Sequence, residues 1–194
     1  MLIKTMTPPP EILNAILADA ERLGFPYSSE SQTGSLLAAL AASKPRGRVL
    51  EIGTGLGFGT CWLQSGLHAQ STLTTIDANA RNSQIAQGHL GSDKRIRFVV
   101  RDAGVWLEEA PSNWFDLIFA DSPEGKYAHL DDALRALNVG GLYVVDDMRR
   151  KTDGTDEYLE PALKLIEILT QRPDFVVTQM TDFATGVLMA VKTK

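Results

Sequence analysis

The sequence predicts an α/β protein with a doubly wound, mostly parallel seven-stranded sheet that ends in an antiparallel C-terminal hairpin. Three observations support this fold class. Short apolar strands alternate with helical segments from about residue 46 onward, a glycine-rich turn follows the first strand, and acidic residues follow the later strands. Ligands of such sheets bind beyond the carboxyl ends of the strands, so the residues after each strand are the candidate functional residues.

Two helices are predicted before the sheet. Segment 10–23 follows a proline run and has apolar residues at helical spacing, and the Gly24-Phe25-Pro26 sequence ends it. Segment 31–42 places Leu36, Leu37 and Leu40 on one helix face. We therefore expect a single domain, with an N-terminal helical cap over residues 1–45 and an α/β core over residues 46–194.

The remaining elements alternate in type. The predicted strands are 48–52, 71–76, 96–100, 115–120, 142–145, 175–180 and 187–191. The predicted helices are 58–67, 83–90, 103–107, 128–137 and 157–170. Strands that are separated by helices need crossover connections, which favours parallel pairing, whereas residues 182–186 form a predicted hairpin turn between the last two strands.

Composition limits the classes of partner. The formal net charge is -5, so the chain lacks the cationic surface that binding to a nucleic-acid backbone requires. No apolar run reaches the length of a membrane span. Cys61 is the single cysteine, which excludes an intrachain disulfide. We therefore predict a cytoplasmic protein that binds neither nucleic acid nor a membrane.

The first strand runs into Glu51-Ile52-Gly53-Thr54-Gly55-Leu56-Gly57. Glycines allow a tight turn and a close approach of the backbone to a ligand. No register of these glycines matches the dinucleotide fingerprint, which requires glycine at the first, third and sixth positions. The Glu-x-Gly-x-Gly-x-Gly pattern instead resembles motif I of class I S-adenosylmethionine-dependent methyltransferases. That resemblance implies cofactor binding by Glu51, Gly53, Thr54, Gly55 and Gly57, while a structural turn without ligand is the alternative.

Acidic residues follow the second and third strands. Asp77-Ala78 lies about 20 residues past the glycine turn, where a carboxylate accepts hydrogen bonds from ribose hydroxyls. Asp102-Ala103 follows the third strand, at a position where methyltransferases commonly hold the adenine amino group. Helix capping is the alternative role for each aspartate taken alone. The succession of acids at successive strand ends favours an adenosyl ligand.

Carboxylates also follow the fourth and fifth strands. Asp121 ends the fourth strand, and Asp146-Asp147 ends the fifth. If these strands are neighbours, the three carboxylates meet at one edge of the sheet, and such oxygen ligands suit Mg²⁺. A divalent ion there would orient a substrate oxygen and lower the pKa of its hydroxyl group.

From about Ser31 to the C-terminus the chain resembles the catechol and caffeoyl-CoA O-methyltransferases. The shared order is Glu51, Asp77, Asp102, Asp121, Tyr127, Gly140-Gly141 and Asp146-Asp147. The resemblance implies metal ligation by Asp121, Asp146 and Asp147. It also implies that residues 31–33 lie near the carboxylate of the cofactor. In the alternative arrangement, Asp121 contacts the cofactor amine and the other two aspartates cap a loop.

Two positions depart from that family. The pair after the fifth strand is Asp146-Asp147 where the family has Asp-Asn. The family's general-base lysine, three residues after the first metal aspartate, is replaced by Glu124, and Lys126 lies two residues further on. The catalytic candidates are therefore Asp121, Glu124 and Lys126, and the proton acceptor is Glu124, Lys126 or a metal-bound hydroxide.

The leading functional prediction is S-adenosylmethionine-dependent O-methylation of a small-molecule hydroxyl, assisted by Mg²⁺. Aminopropyl transfer and a non-catalytic protein that keeps the fold are the alternatives. The loop from Arg149 to Asp156 is expected to shape the acceptor pocket, and the N-terminal helix is a candidate homodimer surface.

Overall fold

A computed structural model describes residues 7–25, 30–148 and 159–194. Its centre is a seven-stranded sheet in the order β3-β2-β1-β4-β5-β7-β6. The strands are β1 (Arg48–Ile52), β2 (Thr72–Asp77), β3 (Ile96–Val100), β4 (Phe115–Ala120), β5 (Leu137–Val145), β6 (Phe175–Met180) and β7 (Val187–Lys192). The helices are α1 (Leu13–Leu23), α2 (Ser31–Ala42), α3 (Phe58–Gly66), α4 (Ala80–Leu90), α5 (Ala103–Glu109), α6 (Leu130–Ala136) and α7 (Leu159–Thr170).

The first five strands run parallel, and the last two are antiparallel. β1 lies at the centre between β2 and β4, and β5 pairs with β4 on its other side. β7 pairs antiparallel with both β5 and β6. The predicted fold class, including the antiparallel C-terminal hairpin, is confirmed. Parallel pairing brings the ends of β1 to β5 to one edge of the sheet, as the predicted site requires.

Helices cover both faces of the sheet because the strands are apolar on both sides. One apolar cluster joins α5, α6 and α7 to residues such as Leu50 and Ile52. A second cluster joins α2 and α3 to residues on the opposite face, including Val49 and Phe119. A third cluster packs α1 against α3 and α4. Side chains alternate along a strand, so Glu51 points to the same face as Val49, toward α3.

Several predicted boundaries were wrong by a few residues. α1 begins at Leu13 rather than residue 10. α6 begins at Leu130 rather than residue 128, because His129 has a φ of 55°, which is incompatible with a right-handed helix. β5 begins at Leu137 rather than residue 142. The start of the predicted helix 157–170 lies outside the described residues, as does the loop from Arg149 to Asp156.

None of the helices in the described part of the chain is both long enough and apolar enough to cross a membrane.

Candidate cofactor and active site

The glycine turn joins β1 to α3 at the centre of the sheet edge. Gly53 has a φ of 103°, and a Cβ atom there would lie 2.8 Å from the carbonyl oxygen of Asp121. The backbone N–H groups of Gly53 and Thr54 both donate to the carbonyl of Ile76, at 2.9 and 3.2 Å. The turn therefore bends sharply across the end of β2 and leaves no room for a side chain on the inner side of Gly53.

Asp77 fixes this turn from the end of β2. Its Oδ2 atom accepts a hydrogen bond of 2.8 Å from the backbone N–H of Gly55, and its Oδ1 atom accepts one of 2.8 Å from Asn79. Each carboxylate oxygen keeps a further lone pair. The structure thus gives Asp77 a positioning role, and the predicted contact with ribose hydroxyls stays a prediction.

Glu51 lies beneath the turn, in the interior of the protein. The residue is fully buried, and its Oε2 atom accepts hydrogen bonds from the hydroxyls of Thr60 (2.5 Å) and Thr75 (2.6 Å). Thr54 extends this network through a 2.6 Å hydroxyl contact with Thr75. The Oε1 atom has no hydrogen-bond partner and lies against Gly59. This arrangement therefore does not favour direct contact between Glu51 and the cofactor.

Burial raises the pKa of Glu51 from 4.5 to about 8. Desolvation of the carboxylate is the main cause, the two threonine hydroxyls oppose it, and the negative charges of Asp121 and Asp77 add to it. At neutral pH the side chain is accordingly a protonated, uncharged acid. It supports the turn through hydrogen bonds and contributes no negative charge to the site.

A cavity of about 130 Å³ opens at the carboxyl ends of β1, β2 and β3. Its walls combine apolar surface with three carboxylic acids, and no cationic side chain belongs to the described residues that line it. Those lining residues are Gly53, Ile76, Asp77, Ala78, Asp102, Ala103, Ser122 and Glu124. Such walls would repel a pyrophosphate, whereas the apolar surface suits a base and the carboxylates suit amino and hydroxyl groups.

Asp102 has a capping role in addition to its place in this cavity. Its Oδ1 atom accepts a 2.9 Å hydrogen bond from the backbone N–H of Val105 in the first turn of α5. The residue is exposed, so its other carboxylate oxygen is accessible to a ligand. The capping and ligand-binding roles that the sequence left as alternatives are thus compatible in one side chain.

The loop after β4 directs its candidate residues to different places. Asp121 is half-buried at the end of the strand, where its backbone N–H donates to Ile52 at 2.8 Å. Glu124 lines the cofactor cavity. Lys126 is only 5% exposed, its Nζ atom lies 5.8 Å from the ring centre of Tyr127, and its charge acts on Asp146 at the end of β5. The sequence left Glu124 and Lys126 as alternative proton acceptors, and the structure places their side chains in different surroundings.

Asp146 and Asp147 differ strongly in their surroundings. Asp146 is 2% exposed, and its Oδ1 atom accepts hydrogen bonds from Thr185 (2.6 Å), Thr33 (3.4 Å) and the backbone N–H of Asp147 (2.9 Å). Desolvation by burial raises the pKa of Asp146. Asp147 is exposed and has a φ of 58°. Asp146 thus ties α2 and the C-terminal hairpin to the end of β5.

No group of three or more histidine, cysteine, aspartate or glutamate side chains in residues 7–25, 30–148 and 159–194 is arranged to hold a metal ion. Asp121, Asp146 and Asp147 follow neighbouring strands, as expected, but they do not form a ligand cluster. The side chains gathered around Asp146 are hydroxyls. The geometry of the three aspartates in this conformation does not fit a magnesium site, and metal ligation by them stays a prediction.

Sequence reasoning missed the contacts that threonine hydroxyls make around both buried acids. Thr75 lies beside Glu51 in the register of β1 and β2, and Thr60 reaches the same carboxyl from α3. Thr33 and Thr185 are 152 positions apart in the chain and meet only at Asp146. Ser122, in the cavity wall, was also missed. Strand register signals the first contact, but the others depend on tertiary packing.

This strand order, with a glycine turn after β1 and acids around a cavity at the strand ends, defines a Rossmann-like methyltransferase fold. The chain belongs to the methyltransferase domain family, whose family model matches residues 50–148.

Relatives and solved structures agree with this assignment. The catechol O-methyltransferase of Mycobacterium tuberculosis is 34% identical over 143 residues, which are 71% of this chain and 65% of that protein. A crystal structure of a putative O-methyltransferase from Klebsiella pneumoniae has 29% identity and a TM-score of 0.82, covering 99% of this chain and 94% of that one. A cofactor-bound protein from MTB has 26% identity and a TM-score of 0.83, covering 98% and 93%.

The chain spans between about a half and two thirds of the length of the curated relatives that it matches. It covers nearly all of the two solved chains.

Proposed function

We propose that the protein is an S-adenosylmethionine-dependent O-methyltransferase that acts on a hydroxyl group of a small molecule. The observation that carries the proposal is the cavity at the ends of β1 to β3, with the glycine turn on one side and acids but no cationic residue in its described walls. Such walls favour an adenosyl ligand that bears a cationic sulfonium and disfavour one that bears phosphates. The O-methyltransferase names of the relatives support the reaction type.

Methyl transfer is a displacement at the methyl carbon, in which the acceptor oxygen attacks in line with the departing sulfur. The protein's main contribution is to hold donor and acceptor close together and aligned. Asp77, through Gly55, and Glu51, through Thr75 and Thr54, hold the turn in one conformation. A turn fixed in this way presents the donor without reorganisation during the reaction.

Lys126 is our candidate for the residue that accepts the proton of the hydroxyl. It is buried, and its charge acts on Asp146 at the end of β5, on the side of the site where the acceptor is expected. A neutral lysine amine close to the acceptor oxygen can take the hydroxyl proton as a general base, which requires that Lys126 first release its own proton to solvent; in the charged form Lys126 can only stabilise the developing oxyanion. The Lys126→Met substitution is expected to lower kcat by a factor of about a hundred or more.

The three aspartates do not form a cluster in this structure, so dependence on magnesium is a prediction separate from methyl transfer itself. The predicted dependence is tested by assaying the enzyme with Mg²⁺, with EDTA, and with Mg²⁺ restored after EDTA.

A homodimer through the N-terminal helix is a further prediction, which size-exclusion chromatography with light scattering would test.

The decisive experiment is a methylation assay with catechol and caffeate as trial acceptors and S-adenosylmethionine as donor. We expect methylated product from the wild type and a large loss in the Lys126→Met variant. The control reaction contains putrescine and decarboxylated S-adenosylmethionine. Aminopropylated product in the control, with no methylated product in the assay, would replace the proposal with the aminopropyltransferase alternative.

A further inference from the structure

Glu124 and Lys126 are two residues apart, but their side chains lie in different environments. Glu124 is half-buried in the wall of the cofactor cavity, with Asp77 and Asp102. Lys126 is almost fully buried, and its charge acts on Asp146. The sequence made both residues candidates for one role, the removal of a proton from the acceptor. Their different surroundings indicate different roles.

The backbone of this loop is held on both sides of Glu124. The carbonyl oxygen of Glu124 accepts a 3.2 Å hydrogen bond from the hydroxyl of Ser122. The next carbonyl, that of Gly125, accepts one from the buried hydroxyl of Tyr143. Gly125 has a φ of 78°, and a Cβ atom there would collide with Ile52, so the chain turns closely over β1 at this point.

A second set of hydrogen bonds closes the loop after Glu124. The carbonyl oxygen of Pro123 accepts from the backbone N–H groups of Lys126 (3.3 Å), Tyr127 (2.8 Å) and Ala128 (3.1 Å). The N–H of Gly125 in turn donates to Ala128 at 2.7 Å. This compact turn keeps the main chain in place when the Glu124 side chain is replaced. The position of Glu124 in the cavity wall is therefore set by the loop and does not depend on its carboxyl group.

We infer that Glu124 binds the adenosyl part of the methyl donor and does not accept the proton of the methyl acceptor. The inference rests on the proposed function, since it requires that the cavity hold the donor. A carboxylate in the wall of a nucleoside site accepts hydrogen bonds from an amino group or from hydroxyls. Glu124 is thus a third acidic residue for the donor, in addition to Asp77 and Asp102.

Isothermal titration with S-adenosylhomocysteine tests the inference, because this product binds without reaction. The Glu124→Gln variant keeps one carbonyl acceptor but loses the charge, and it should bind about fivefold more weakly than the wild type. Glu124→Met keeps similar size but loses both acceptors, and it should bind more than tenfold more weakly. In steady-state assays the KM for S-adenosylmethionine should rise in both variants in step with the weaker binding, while kcat should fall far less than it does in Lys126→Met.

Two control variants separate the possible causes. Glu21→Gln makes the same change of charge on the exposed surface of α1, and its affinity for S-adenosylhomocysteine should equal that of the wild type. Lys126→Met should give the opposite result to Glu124→Met, with unchanged affinity and a large loss of kcat. Thermal unfolding of each variant shows whether the fold is retained.

The inference is overturned if both Glu124 variants bind S-adenosylhomocysteine as tightly as the wild type does. A loss of kcat as large as that of Lys126→Met would also contradict it. Failure of the proposed function would look different. In that case the wild type would methylate no hydroxyl acceptor, while the titration would still report whether Glu124 contacts the adenosyl ligand.

Discussion

Replacing Glu51 with glutamine should change how the stability of the protein depends on pH. In the folded protein, burial raises the pKa of Glu51 from 4.5 to about 8. Between these two values the folded state keeps a proton that the unfolded state has released. The free energy of unfolding therefore falls as the pH rises, by about 1.4 kcal/mol for each pH unit. Over the whole interval the loss approaches about 5 kcal/mol, a large part of the stability of an ordinary domain.

Glutamine resembles the protonated acid in shape and has no proton to release. Its carbonyl oxygen can accept from Thr60 and Thr75 as Oε2 does, and its amide group takes the position of the unpartnered Oε1. We expect the wild type and the variant to agree within about 1 kcal/mol at pH 5, where both side chains are neutral. At pH 9 the variant should be more stable than the wild type by about 3–5 kcal/mol.

Urea denaturation followed by circular dichroism, at unit steps from pH 5 to pH 9, measures this difference. The Glu21→Gln variant is the control, since it removes an exposed carboxylate from α1 and should follow the pH dependence of the wild type. A difference between wild type and Glu51→Gln that stays constant from pH 5 to pH 9 would refute the reasoning, because it would mean that Glu51 is ionised in the folded protein.

Three further predictions concern the turn and the end of β5. Gly53→Ala should destabilise the protein by about 2 kcal/mol or more, measured by urea denaturation, because φ is 103° and the added methyl group would lie 2.8 Å from a carbonyl oxygen. Asp77→Asn should weaken S-adenosylhomocysteine binding about tenfold in a calorimetric titration. The reason is that an amide nitrogen cannot accept the hydrogen bond that one carboxylate oxygen now accepts from a backbone N–H. Equal affinity would contradict the positioning role of Asp77. Thr185→Val should lower the unfolding free energy by about 1–3 kcal/mol, because Asp146 is buried and loses its 2.6 Å hydroxyl donor; a serine at the same position should restore most of the loss.

The fold and the position of the glycine turn were predictable from the sequence because both depend on local patterns. The alternation of strands and helices predicted the parallel sheet, and the glycine turn predicted where a ligand would approach it. The errors in the fold were boundary errors, such as the start of α6, where the left-handed conformation of His129 leaves no signal in the sequence.

The roles of individual acids were less predictable, because a carboxyl group changes character with burial. Glu51 occupies the expected motif position but is covered by α3 and protonated at neutral pH, as its raised pKa of about 8 indicates. Asp146 follows β5 as expected, but hydroxyls from α2 and from the C-terminal hairpin surround it. Both outcomes depend on contacts between distant segments, and spacing along the chain does not reveal such contacts.

The insertion of β7 between β5 and β6 has a consequence for the order of folding. During synthesis β6 emerges before β7, which is its one neighbour among the strands that the structure describes, so this pairing cannot form until residues 187–192 are made. Until then the outer edge of β5 is an open template for another chain. On the β5 side of the sheet, the strands therefore cannot pair in the order in which they are translated. The exposed edge of β5 makes the nascent protein prone to misassembly until β7 has been made.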